Sequence, residues 1–120
     1  MPLKKKRQHR HLPALILLVI AEGPVHGGAV HTALVRRTPG FKVDTAAIYR
    51  TLQALEAEGE VESSWDTLGT GPARKVYRLT PAGWDKLAIW KTDIEYRVAL
   101  LQNFLSDYDR IAHSRPRASD

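Results

Sequence analysis

Apolar positions along the chain come in blocks whose spacing changes from one block to the next. The first, "PALILLVIA" at residues 13–21, is apolar almost throughout, the pattern of a short helix buried on most sides. It predicts a helix from Leu12 to Ala21, with Pro13 tolerated in the first turn, where its missing N–H costs nothing. "EGPVHGG" interrupts, and residues 27–37 predict a second short helix with Val30 and Leu34 one turn apart. After the break "TPGFKV" comes "DTAAIYRTLQALEAEGEVE", residues 44–62, in which Ile48, Leu52 and Leu55 recur at helical spacing. Asp44 is placed to cap that third helix and Gly59 to stop it. The period then shortens to two residues: "EVESSWD" and "RKVYRLT" alternate as half-buried strands do, and the turn-forming "TLGTGPA" joins them in a hairpin. Thr80, as N-cap, and Pro81, at the first helical position, launch a last helix expected to run to about residue 112.

These elements predict a mainly α protein with a small β-hairpin wing, a winged helix-turn-helix followed by a long C-terminal dimerisation helix. The expected division is a basic disordered arm (1–11), a winged helix-turn-helix (12–80), a dimerisation helix (81–112) and a disordered tail (113–120). In the last helix Leu87, Trp90, Ile94, Val98, Leu101, Leu105 and Tyr108 recur at steps of three and four, one continuous apolar stripe. At about 1.5 Å per residue such a helix is roughly 45 Å long and outruns a domain of this size, so the stripe is expected to meet a second copy. Arg97 borders it, with Glu95 and Asp93 as acids that can pair with it across an interface.

Charge sharpens the picture. Lys4, Lys5, Lys6, Arg7 and Arg10 precede any acid, and they account for the whole net charge of +5. Such an arm is commonly a solvated tail, and it is also a means of gaining sequence-independent affinity for phosphate. The third helix turns Ala46, Ala47, Arg50, Gln53, Ala54 and Ala57 away from its apolar face, with Tyr49 on the flank. Alanine is a strong helix former, which alone accounts for part of this. Alanine also lets a backbone approach another surface closely, and arginine and glutamine can make bidentate contacts with base edges. Glu56, Glu58, Glu60 and Glu62 are held back to the far end, where they would not oppose a polyanion. The expected base readers are therefore Thr45, Tyr49, Arg50 and Gln53. The expected phosphate contacts are Lys4, Lys5, Lys6, Arg7, Arg10, and Arg74 and Lys75 at the hairpin tip.

"LLVIAEGPVHGG", "AAIYRTLQALEAEGEVESSWD" and "GPARKVYRLTPAGW" resemble the PadR family of bacterial transcriptional regulators over about residues 12–108. The resemblance implies a homodimeric winged-helix repressor paired through its C-terminal helix, in the subfamily with one such helix. Tyr49 matches the family's usual tyrosine in the third helix, and Gly71 to Tyr77 match its wing. Gly28 stands where the family commonly has an aromatic residue. Members that bind planar drugs use a tryptophan in the last helix, whose matching position is Ile94, with Trp90 one turn earlier. Drug binding is therefore not carried over intact; it is the large aromatic on the stripe that makes Trp90, with Ile94, the expected contact of a flat, apolar small-molecule effector, with simple interface packing as the alternative.

Catalysis finds no support. The chain has no cysteine, which excludes disulfides and thiolate metal sites and fits a reducing cytoplasm. His9, His11, His26, His31 and His113 form no metal-ligand pattern, and His26 is expected to cap or pack at a helix start. "GTGPARK" lacks the spacing of a phosphate-binding loop, and Ser63 and Ser64 lack the glycine elbow of a hydrolase. No cofactor or metal is expected, and the apolar run at 13–21 is too short to span a membrane. The function expected is that of a cytoplasmic, sequence-specific repressor, a homodimer on an inverted-repeat operator in double-stranded DNA, released by a small ligand. The alternative is a winged-helix protein-interaction module without specific DNA binding.

Overall fold

The computed structural model describes residues 10–40 and 42–116. Helices α1 (Leu12–Ala21), α2 (Gly27–Arg37) and α3 (Thr45–Ala57), strands β1 (Val25–His26), β2 (Val61–Asp66) and β3 (Arg74–Leu79), and helix α4 (Pro81–Ser114) make up the fold. The chain divides into two compact units, Met1–Ala88 and Ile89–Asp120.

In the first unit the three short helices enclose the core. Ile16, Leu17 and Ile20 of α1, Val30 and Leu34 of α2, and Ile48 and Leu52 of α3 are fully buried, joined by Val61 of β2. The i, i+4, i+7 stripe of α3 faces inward as its spacing predicts. Ala47 departs from expectation: it is buried rather than on the outer face. It lines a shallow groove with Leu12 and Pro13, so the start of α1 covers it.

The expected β2–β3 hairpin forms, and β1 extends it into a three-stranded antiparallel sheet of order β1-β3-β2. Val25 pairs with Tyr77 and His26 with Val76, placing β3 at the centre. A two-residue strand between Gly23-Pro24 and Gly27-Gly28 is too short to show a period, which is why the pattern read as a break. β2 pairs with β3 from Val61–Leu79 to Asp66–Arg74. Val61 is buried but Trp65 is 65% exposed, so the alternation of β2 loses its buried side toward the loop.

The helix ends explain how the wing is joined on. The Asp44 carboxylate accepts a hydrogen bond from the Ala47 amide at 2.6 Å, capping α3. Gly59 has φ +77°, a left-handed conformation that lets its amide reach Glu56 O and the Glu60 amide reach Leu55 O, the paired bonds of a Schellman stop. The Thr80 hydroxyl donates to Gly59 O at 2.6 Å and accepts from the Gly83 amide at 3.0 Å, so one side chain ties the end of α3 to the start of α4. A Cβ on Gly83 would fall on the Glu60 carbonyl oxygen, which explains the glycine in "TPAGW".

The second unit is the greater part of α4. The helix continues two residues past its expected end at residue 112, to Ser114. His113 Nδ1 lies 2.5 Å from Asp109 O and the Ser114 hydroxyl donates to Arg110 O, contacts that extend the last turn into the predicted tail. Arg97 pairs with Asp93 on its own helix at 2.9 Å, and Lys91 with Glu95 at 3.0 Å. Among the described residues no helix is long and apolar enough to cross a membrane.

Candidate nucleic-acid interface

The outer face of α3 is an arc of small and uncharged residues interrupted by one cation. Thr45, Ala46, Tyr49, Arg50, Gln53, Ala54 and Ala57 are all exposed. At 100° per residue Thr45, Tyr49 and Gln53 line the side toward the wing and Arg50 and Ala54 the side toward α1, with Ala46 and Ala57 between. Arg50 accordingly lines the groove with Leu12, Pro13 and Ala54. Tyr49 lines a different cleft of about 400 Å³, with His26, Gly27, Gly28, Ala29, Arg74 and Lys75. The structure therefore brings Tyr49 together with the two wing cations, and sets Arg50 on the opposite flank of the same helix.

Tyr49 owes its position to Gly27. A Cβ on Gly27 would come within 2.6 Å of the Tyr49 ring, so the first residue of α2 is a seat for the tyrosine. Gly28 meets nothing within 4 Å, and the cleft stays open on that side. His26 is the N-cap residue of α2 without a side-chain capping bond; its Nε2 is buried 3.7 Å from Asp66 Oδ2, too far for a hydrogen bond. The other Asp66 oxygen accepts from the Leu68 amide at 3.1 Å and orders the start of the wing loop.

The wing cations differ from their predicted placement. They are not at the tip: Arg74 and Lys75 occupy the first two ladder positions of β3, opposite Asp66 and Trp65. The loop at 67–73 carries no charge and presents Leu68, 97% exposed. Alternation sends the two side chains to opposite faces of the sheet. Arg74 is exposed and forms no ion pair among the described residues. Lys75 is half-buried, its ammonium 3.5 Å from Glu56 Oε1 and 5.7 Å from the centre of the Tyr77 ring.

Glu56 is the residue that sequence reasoning missed. Its Oε2 accepts a hydrogen bond from the Ser63 hydroxyl at 2.5 Å, and that bond, with the Lys75 charge assisting, lowers its carboxyl below the ordinary glutamate range. Burial raises the Tyr77 phenol. Sequence alone places this acid with Glu58, Glu60 and Glu62 at the end directed away from a polyanion, and no one-dimensional spacing reveals a partner on another element. Lys42, exposed just before the Asp44 cap, is a further cation at the leading end of α3. Arg10 is exposed, whereas Lys4, Lys5, Lys6 and Arg7 lie outside the described residues.

On the stripe of α4, Val98, Leu101, Leu105 and Tyr108 are exposed, and Leu87, Trp90 and Ile94 are partly covered. A second apolar track was not foreseen: Ile89, Tyr96, Leu100, Phe104 and Ile111 are exposed as well. Its spacing was visible in the sequence, displaced by roughly a third of a turn from the first.

Residues 16–89 match the model of the transcriptional regulator PadR-like family. The chain belongs to that family. It is 41% identical over 68 residues to the transcriptional regulator Rv3488 of Mycobacterium tuberculosis, a match spanning 57% of this chain and 61% of that protein. The match thus spans about three-fifths of the length of this curated relative. Among solved structures, a conserved protein of unknown function described as a potential transcriptional factor is 30% identical, with a TM-score of 0.78 over 89% of this chain and 95% of its own. A PadR-like transcriptional regulator from Bacillus cereus is 26% identical, with a TM-score of 0.72 over 83% of this chain and 96% of its own. The PadR-like fold is a mainly helical winged helix with a long C-terminal helix, and the chain shares it.

Proposed function

We propose that this PadR-like protein is a sequence-specific DNA-binding repressor that acts as a homodimer on an inverted-repeat operator. The observation that supports this reading above all is the exposed arc of α3, free of acids from Thr45 to Ala54 and bordered by Arg74, which forms no ion pair among the described residues. Arg50 and Gln53 read base edges, helped by Thr45 and Tyr49, while Arg74, Arg10, Lys42 and the basic residues Lys4 to Arg7 contact phosphate. The apolar stripe of α4 from Leu87 to Tyr108 supplies the two-fold axis. Two copies of α3 then enter successive major grooves, with half-sites about one helical turn, roughly 34–36 Å, or a multiple apart.

Protection mapping of the DNA upstream of the coding region, followed by binding to the protected site, tests this. Arg50→Ala is expected to cost about 1–3 kcal/mol on the cognate site and to relax discrimination at one base position in each half. Unaltered affinity and site preference would refute the reading role of Arg50. Binding that shows no salt dependence would favour the interaction-module alternative.

Release by a flat apolar ligand beside Trp90 and Ile94 completes the reading, supported by a large aromatic on the dimerisation stripe. Aromatic compounds titrated against the protein are expected to quench tryptophan emission in the wild type and to lose that effect in Trp90→Phe. A response retained in the variant, from Trp65 or Trp84, would move the ligand elsewhere.

A further inference from the structure

The last turn of α3 contains an acid pointed at the wing. Glu56 and Lys75 are each about one-third exposed, partly buried against one another at the junction of α3 and the wing. The two oxygens of Glu56 divide between two strands: Oε2 takes the Ser63 hydroxyl of β2, and Oε1 faces the Lys75 ammonium of β3. Ser63 and Lys75 lie on the same face of the sheet, since Ser63 is opposite Tyr77 and Trp65 opposite Lys75. One carboxylate therefore grips both strands of the hairpin from the helix that carries the proposed base readers. The Lys75 charge is answered twice, by Glu56 and by the face of the buried Tyr77 ring. Arg74, one residue away on the other face, has neither, and the nearby Asp66 accepts from the Leu68 amide and forms no ion pair with Arg74.

We propose that Glu56 is a positioning residue that fixes the wing on α3 and withholds the Lys75 charge from DNA, leaving Arg74 as the wing cation that contacts phosphate. This rests on the DNA-binding function proposed above. It accounts for an acid on the recognition helix, because that acid is spent within the protein, and it divides two adjacent cations that look equivalent in the sequence.

Counterion release separates the two cations, since each phosphate contact contributes about 0.9 to the slope of log K against log salt on duplex DNA. The slope is measured with the full chain on a non-specific duplex for the wild type and for Arg74→Gln, Lys75→Gln, Glu56→Gln and the Glu56→Gln/Lys75→Gln pair. Arg74→Gln should lower the slope by about 0.9 for each bound protomer, and Lys75→Gln should leave it unchanged. Glu56→Gln, which keeps an oxygen for Ser63 but no charge for Lys75, should raise the slope by a similar amount and lower the ratio of operator to non-specific affinity. The double variant should return to the wild-type slope. A general loss of folding would move every slope in the same direction and could not produce that rise and return.

A fall in slope for Lys75→Gln comparable to that for Arg74→Gln overturns the proposal, as does an unchanged slope in a folded Glu56→Gln. Should Glu56→Gln not fold, Lys75→Gln alone decides. Titration of the Glu56 carboxyl carbon by NMR, without DNA, checks the grip itself: the midpoint should rise toward the ordinary glutamate value in Ser63→Ala and in Lys75→Gln, and unchanged midpoints overturn it. A wild type that binds no duplex overturns the proposed function and the withheld charge together, while the titration still reports on the grip.

Discussion

Ile48 and Leu101 are both aliphatic residues on the apolar stripe of a helix, yet one is 0% exposed and the other 62%. The stripe of α3 is short and meets α1 and α2, so its side chains are removed from water within one chain. The stripe of α4 has the same chemistry and helical spacing, and in the single chain it remains open to solvent from Val98 to Tyr108. The contrast teaches that amphipathic spacing predicts a helix and the face it will bury, but not what will cover that face. A stripe left open over several turns, with a second track beside it, is a large apolar surface for a monomer to carry. We read it as half of an interface.

The largest effect is expected from charging the open stripe. Glu at both Ile94 and Leu101 would bring four like charges into each dimer, and the desolvation of each is expected to cost several kcal/mol. Sedimentation should show the variant as a monomer, with near-ultraviolet circular dichroism from the winged unit retained and specific operator binding lost. A wild type that is monomeric at micromolar concentration, or a folded monomeric variant that binds the full operator as tightly, defeats the dimer mechanism.

A milder pair of substitutions asks whether the two stripes are stabilised by different partners. Leu52→Ala, in the closed core, should cost about 2–5 kcal/mol of unfolding free energy at any protein concentration. Leu105→Ala should cost less, and by weakening association it should reduce the dependence of the transition on protein concentration. Denaturation at two concentrations differing by about a hundredfold distinguishes them; equal concentration dependence would mean that Leu105 does not support association.

The smallest effect concerns pH and belongs to the winged unit alone. The Glu56 carboxyl is held below the ordinary range, chiefly by Ser63, so its contribution to stability is present above the unfolded value of about 4.3 and lost as pH falls through the lower folded value. Ser63→Ala should therefore be less stable than wild type near neutrality, with the difference shrinking below about pH 4. Thermal melts across that range check the sign; a difference that grows on acidification would contradict it.

How much was legible follows from the range of each interaction. The bounds of α1 and α2 and the caps of α3 and α4 could be read directly, because proline in a first turn, Asp44 three residues before an amide it caps, and a left-handed glycine are all settled within a few residues. The inward face of α3 was legible for a similar reason: three positions in one helix share a direction whatever lies opposite. β1 was not legible, since two residues between glycines become a strand only because β3 lies alongside. Nor was the burial of Ala47, which depends on where the start of α1 comes to rest.

The wing shows the same boundary most sharply. That Arg74 and Lys75 are adjacent cations near a turn, and that a strand sends them to opposite faces, can be read along the chain. That one face meets the Glu56 carboxylate and the Tyr77 ring, while the other leaves Arg74 without an ion pair among the described residues, depends on the packing of the wing against α3. Local spacing fixes direction because the backbone period is set by bonded geometry. Charge compensation is set by distance in space, and residues 56 and 75 become neighbours only when the wing folds back onto α3.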